Sequence, residues 1–419
     1  MPPETFTFWA YNSSSIWAIF QKTFNEINSI ADRIRRNERV FSSQKLGSGA
    51  VVQCSSVHRI RCWMLCQSFN HGYRFNPNSQ TWTPFGCEHI TAREAELAEF
   101  ELTHNSWLVL ITWNVDATGS APEARISSII SHIESITPQV DAIFLQGVSR
   151  PALSTLLTIP WPRYHWYLSE VDTINWGSQS FKNITLLSKS RLSTTHLTLG
   201  PIWTVNYPSY FKRVALCCDI LLPLSKQTAS ASPQSSLNCH PKIRLINVRL
   251  DSLPIQPPLR PIQLSTTASY LRAAGHGLVA GDFNPVLPAD DTLISNNGLV
   301  DAWEKLHPDE DGFTWDIDGN QPFPPNRLDK VAFVALEAHG IEVVPPGTCV
   351  ATSNKLKGQE QERQISWSYH SGLLCSFGLE CTLWCSGEAY AGYSIYEPTR
   401  SEGMTPVSPI RLRSNHLIW

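Results

Sequence analysis

The chain has 419 residues, a formal net charge of −3 from 33 basic and 36 acidic side chains, and 16% charged residues, well below the roughly 25% of an average globular protein. With 42% hydrophobic residues and 15 tryptophans, the composition excludes polyelectrolyte behaviour and extended disorder of the charged, aromatic-poor kind, because such side chains are there to be buried or stacked. No run approaches the roughly 18 apolar residues of a membrane helix, and the start, MPPETFTFWAYNSSSIWAIFQ, has no basic segment or cleavage site of a secretory signal, which predicts an intracellular protein.

Residues 1–104 alternate aromatic and polar stretches without a sustained period, apart from helical patterns over 16–36 and 91–101. They form an N-terminal extension of unassigned fold. The 11 cysteines are odd in number and irregular in spacing, against a disulfide framework. Cys54, Cys62, Cys66, Cys87 and His89 lack the paired C-x2-C spacing of structural zinc sites. Arg33, Arg35, Arg36 and Arg39 are interrupted by acids and read as a solvated helix face.

From residue 105 the pattern changes to short apolar runs: WLVLITW (107–113), AIFLQ (142–146), ITLLS (184–188), VALCCDILL (214–222), IRLINVRL (243–250), GLVAG (277–281), KVAFV (330–334) and GLLCSF (372–377). These predict buried strands. Helices are predicted over 122–136, with proline at the start, and over 260–274. Mixed strands and helices over 105–378 imply one layered α/β domain. Within it, the Ser/Pro-rich stretch 227–241 reads as a surface loop, the polar stretch 352–366 as a break between strands, and residues 379–419 as an irregular tail.

The sharpest chemical signal is Gly281-Asp282-Phe283-Asn284, directly after the strand pattern GLVA. A carboxylate and a carboxamide two residues apart at a strand end can face one cleft and serve a metal, a water or a phosphoryl oxygen. Alone this is an ordinary turn. It gains weight from its company in chain order: Trp113-Asn114, Leu145-Gln146, Asn326-Arg327-Leu328-Asp329, and Ser368-Tyr369-His370.

Taken together these motifs resemble the endonuclease/exonuclease/phosphatase superfamily, the DNase I-like fold, over residues 105–378. ITWNVD (111–116), DAIFLQGV (141–148), RLDS (249–252) with R-x-x-QL (260–264), GLVAGDFN (277–284), LVDAWE (299–304) and FTWD (313–316) are most similar to the 5′-tyrosyl-DNA phosphodiesterases. The resemblance implies a four-layer α/β sandwich, two packed mixed β-sheets flanked by helices. It implies a Mg²⁺- or Mn²⁺-dependent phosphodiesterase acting on nucleic-acid ends, with a DNA-repair role and nuclear residence. Carried over residue by residue, Asp282 orients or deprotonates the attacking water, and Asn114 and Asn284 hold phosphate oxygens. Asn114 and Asp282 also belong to the metal shell, His370 stabilises charge developing on phosphorus, and Asp329 fixes its ring. Arg249 and Trp315 fall at substrate-contacting positions, although Trp315 reads equally well as a core residue.

Departures from the family pattern are equally specific. The glutamate that should follow Gln146 as principal metal ligand is Gly147, the aspartate before the last histidine is Tyr369, a histidine is replaced by Arg249, and a glutamate by Asp251. Arginine still contacts phosphate, but glycine offers no ligand and a neutral phenol does not replace a carboxylate. Weakened metal binding follows. The alternative expectation is a catalytically impaired member that binds nucleic acid or a protein partner through the retained phosphate cleft. Hydrolysis of inositol phosphates or sphingomyelin uses the same core, but no apolar membrane anchor is evident. The acids crowded into 301–318 around a single Lys305 leave the rest of the domain slightly basic, suited to a short strand end rather than an extended duplex.

Overall fold

A computed structural model describes residues 67–70, 72–85, 107–116, 118–194, 197–222, 242–317, 319, 323–353 and 361–378. The helical patterns at 16–36 and 91–101, the cysteine group with His89, the loop 227–241 and the tail 379–419 lie outside the described residues.

The described strands form two large sheets. In one, β1 (Gln67–Asn70), β8 (Thr198–Asn206), β9 (Val214–Leu221), β10 (Lys242–Arg249), β11 (His276–Asp282), β13 (Asp329–Val334) and β12 (Val300–Asp301) lie in that order. The other runs β14 (Glu337–Val344), β17 (Gly372–Gly378), β4 (Trp107–Asn114), β5 (Ala142–Ser149), β7 (Phe181–Ser188), β6 (Trp166–Leu168), β2 (Gly72–Asn76) and β3 (Thr81–Phe85). Both mix parallel and antiparallel pairs, with β10–β11 and β4–β5 parallel. Every apolar run singled out in the sequence is a strand of one sheet or the other. Residues 67–85 correct the expectation for the N-terminal segment: β1 extends the first sheet beside β8, and the β2–β3 hairpin extends the second beside β6. Their short alternations carry little signal, because an edge strand has a neighbour on one side only. The polar stretch expected to break the strands at 352–366 ends instead in β16 (Gln361–Ser366), which pairs with β15 (Thr348–Ser353) as a separate two-stranded ribbon. The ribbon is largely exposed, with only Ala351 buried among its described side chains and Cys349 and Ile365 half-buried, so it carries little apolar signal.

Each sheet is covered by helices on its outer side. Helix α1 (Pro122–Ser135) has proline in its first turn and buries Ile126, Ile129, Ile130 and Ile133, the i, i+3, i+4, i+7 stripe of a helix on a flat surface. They join Val109, Ile111, Trp113, Ile143 and Leu145 in one outer core. The longer helix Arg260–Ala274 lays Leu264, Ala268 and Leu271 on Ile246, Val248 and Val279 of the first sheet. The opposite faces meet between the sheets, as in the edge-on contact of Phe333 and Phe377 at 5.4 Å. Helix, sheet, sheet, helix: the four-layer α/β sandwich is the observed fold.

Strand alternation then places the polar residues. With Val109, Ile111 and Trp113 facing the helices, Thr112 and Asn114 of β4 must face the other sheet. The same parity turns Gln146 of β5, Asn247 and Arg249 of β10, Asp282 of β11 and Asp329 of β13 inward. Gln146 joins the layers, donating from Nε2 to Thr112 Oγ1 and to Asn247 Oδ1, each at 2.9 Å.

Candidate active site

Register brings the predicted residues side by side. In the first sheet Arg249 pairs with Asp282, and Asp282 with Asp329, across three adjacent strands. In the second, Asn114 stands beside Gln146. The two rows meet where Asn114 Nδ2 donates to Asp282 Oδ2 at 2.9 Å and lies 3.3 Å from His370 Nε2. His370 Nδ1 lies 2.7 Å from Asp329 Oδ2. Asp282, Asn114, His370 and Asp329 thus form one continuous, buried hydrogen-bonded chain from four separate segments.

Local sequence holds each member. Trp113, fully buried, donates its indole N–H to the His370 carbonyl at 3.0 Å. Ser368 Oγ donates to the Asn114 carbonyl and accepts the His370 N–H. Thr314 of the FTWD motif donates its hydroxyl to Asp329 Oδ2 and accepts the Asp329 N–H. Gly281 has φ 138°, and a Cβ there would sit 2.0 Å from the Val248 carbonyl oxygen, so only glycine allows Asp282 this approach. Asn284, in the left-handed region at φ 47°, gives its N–H to Asp282 Oδ1 and its amide to the Leu250 carbonyl.

Burial opposes charge on His370, but the Asp329 carboxylate outweighs it and raises the His370 pKa above its ordinary value. With Nδ1–H on Asp329, Nε2 is the ring position turned to Asn114. It accepts when neutral and presents a proton when charged. Asp329 makes no strand-end ion pair with Arg327, which binds Asp301 and Glu304 instead. Trp315 is half-buried and bridges by its backbone to Asn326 and His370. It stands at the rim of the chain of residues, with Phe323 at 6.4 Å.

The R-x-x-Q motif turns out to be scaffolding. Arg260 is buried against Asp290 and donates to the Asp251 and Leu253 carbonyls, while Gln263 clamps Asp251 N–H and the Pro208 carbonyl. Asp251 in turn accepts from Ser209 Oγ and from the Tyr210 N–H.

One residue that sequence reasoning missed lies beside these groups. Arg213, immediately before β9, is 7% exposed. Its guanidinium lies 5.1 Å from the ring of Phe181, and the Arg249 guanidinium lies 5.0 Å from the same ring. Burial and the neighbouring Arg249 pull the Arg213 pKa down to about 9, still charged at neutral pH. A basic residue at a strand start carries no signature of its own. Only the fold sets it beside Arg249.

The cation that the fold family implies fits these residues poorly. Gly147 lies in the bulge of β5 at φ 66° and brings no ligand. Tyr369 is 40% exposed, with its ring 5.5 Å from the guanidinium of Arg125, itself paired to Asp116. Asp282, the remaining carboxylate, already accepts from Asn114 and Asn284 and has Arg249 Nε 3.3 Å from its Oδ2. Among the described residues no three His, Cys, Asp or Glu side chains cluster as metal ligands would. Mg²⁺ prefers carboxylates, water and phosphate oxygens, and here it meets two carboxylates already engaged, Asp282 and Asp329, beside two guanidinium groups.

Residues 111–390 match the family model described as the Endonuclease/Exonuclease/phosphatase family. No curated protein matches the chain. Among solved structures, TDP2 of D. rerio complexed with a single-strand DNA product is similar at 21% identity and TM-score 0.46, covering 65% of this chain and 100% of that one. TDP2 from C. elegans is 18% identical with TM-score 0.46, over 70% of this chain and 81% of its own. An endonuclease/exonuclease/phosphatase family protein from Bacteroides thetaiotaomicron is 12% identical with TM-score 0.44, over 65% and 95%. Among the described residues no helix is long and apolar enough to cross a membrane.

Proposed function

The chain belongs to the endonuclease/exonuclease/phosphatase family, and from that premise we propose that it hydrolyses phosphodiester bonds at nucleic-acid ends, in the manner of 5′-tyrosyl-DNA phosphodiesterases, at a strongly reduced rate. The supporting observation is the unbroken chain Asp282–Asn114–His370–Asp329. Phosphodiester hydrolysis needs a positioned water and compensation of charge on the non-bridging oxygens. Asp282 orients the water. His370, held by Asp329, faces the developing charge through Nε2, and the amides of Asn114 and Asn284 hold phosphate oxygens. In members with a complete site, a divalent cation supplies further charge compensation. Losing one such electrostatic contributor commonly lowers rates by roughly 10²–10³-fold, which sets the scale of the reduction. A role in DNA repair and a nuclear setting belong to the same reading.

One observation favours a second reading, binding of nucleic acid or a protein partner without turnover. Arg249 Nε lies 3.3 Å from Asp282 Oδ2, so the carboxylate placed to activate water is already engaged by a cation. The deciding assay is release of tyrosine from a single-stranded oligonucleotide with a 5′-phosphotyrosyl group, in Mg²⁺, by the unmodified protein and by Asp282→Asn. Slow release that vanishes in the variant supports hydrolysis. Equal background from both leaves binding alone, and turnover at the rate of a complete enzyme overturns the impaired site.

A further inference from the structure

Arg213 is a buried guanidinium that forms no ion pair among the described residues. Its Nε and that of Arg249 are both enclosed without a hydrogen-bond acceptor. Arg249 approaches Asp282 as an ion pair, yet its Nε–H is not aligned on the carboxylate. The carboxylate of Asp251, which also acts on Arg213 through space, is occupied by Ser209 and Tyr210. Two like charges that share one aromatic ring repel each other, and a buried cation with unfilled donors is costly unless an anion completes it. The register fixes where that anion goes. Arg249 stands beside Asp282 on the inner face, so a group bridging the two arginines lies against Asn114 and His370 as well.

We propose that the guanidinium groups of Arg213 and Arg249 replace the divalent cation of the family, so that the cleft binds the phosphomonoester dianion at the 5′ end of a single strand without metal. The inference rests on the reading that this cleft takes a phosphate. It adds that the charge compensation is built into the chain, and that the favoured ligand is the end phosphate, whose two negative charges match two guanidinium forks. The same exchange explains the departures together. With Gly147 and Tyr369 in place of two carboxylates, less negative charge is left for a metal to balance, and an arginine at 249 would repel one.

The test is the anisotropy of a 3′-labelled, 5′-phosphorylated oligothymidylate titrated with the full chain in EDTA and in MgCl₂. The dissociation constant is expected to agree within about twofold between the two buffers, and to rise at least tenfold when the strand carries a 5′-hydroxyl. Arg249→Gln is expected to weaken binding in EDTA by at least tenfold and Arg249→Lys by less, with unchanged circular dichroism. Arg249 is the residue to vary because it is the less buried of the two. Binding that needs Mg²⁺, or that ignores Arg249→Gln or the end phosphate, overturns the inference while leaving a phosphate cleft in place. Failure of every strand to bind in either buffer sinks the proposed function itself.

Discussion

The two sides of the cleft are built on different principles. On one side, Asp282, Asn114, His370 and Asp329 are linked to one another, with Asp329 Oδ1 left unpartnered, and Trp113, Ser368 and Thr314 hold them from behind. On the other, Gly147 and Tyr369 stand where the resemblance implies metal-binding carboxylates, and the Nε atoms of Arg249 and Arg213 lack acceptors. A buried network in which most donors and acceptors are paired is also a packing device: its loss destabilises the fold whether or not it turns over substrate. The first side therefore identifies the family but says little about rate. The second side, whose groups gain little from one another, carries the information about ligand.

If the first side is structural as well as chemical, Asp329→Ala leaves His370 buried without its counter-ion and lowers unfolding free energy by about 3–5 kcal/mol, measured by urea denaturation. A loss under about 1 kcal/mol contradicts a packed network. On the second side, Gly147→Glu, Tyr369→Asp and Arg249→His combined are expected to confer Mg²⁺-dependent cleavage of a 5′-phosphotyrosyl strand, a gain of roughly 10²-fold. The glutamate has to occupy left-handed backbone at φ 66°, costing about 1–2 kcal/mol, so the triple variant melts below the parent. A variant that folds and stays metal-insensitive removes the cation-shell explanation.

The pH dependence separates the sides further. Because Asp329 raises the His370 pKa in the folded chain, the pair's contribution is complete below the ordinary histidine value of about 6.5 and is lost as pH rises through the folded value. The stability gap between the parent and His370→Asn is thus expected to be wider near pH 6 than near pH 9; a gap that widens with pH excludes the charged pair. The smallest effect belongs to Tyr369→Ala, whose ring makes a partly exposed contact with Arg125 worth roughly 0.5–1 kcal/mol. A larger loss on thermal denaturation would mean that Tyr369 holds the His370 loop.

From 107 onward β4, β5, β7, β9, β10, β11, β13 and β17 were legible because they are buried along most of their length and therefore largely apolar, whereas β6, β8, β12 and β14 were not singled out. Polar residues inside such runs, Asn114, Gln146 and Asp282, stood out for the same reason. Helix Arg260–Ala274 was legible from its apolar positions, but the purpose of Arg260 and Gln263 was not. The bonds to Asp251, Leu253 and Pro208 show them clamping a loop. The edge strands β1–β3 and the polar ribbon β15–β16 escaped notice because an element with a solvated side needs no apolar pattern.

By itself the sequence determined a layered α/β domain, since burial and local spacing are written along the chain, and the resemblance of its ordered motifs added the sandwich and the family. The tertiary structure alone decided which charges meet. Arg213 and Arg249 are 36 residues apart; the first immediately precedes β9 and the second ends β10, two strands joined by one ladder. Electrostatic energy depends on distance through space and on burial, neither of which can be read from spacing along the chain.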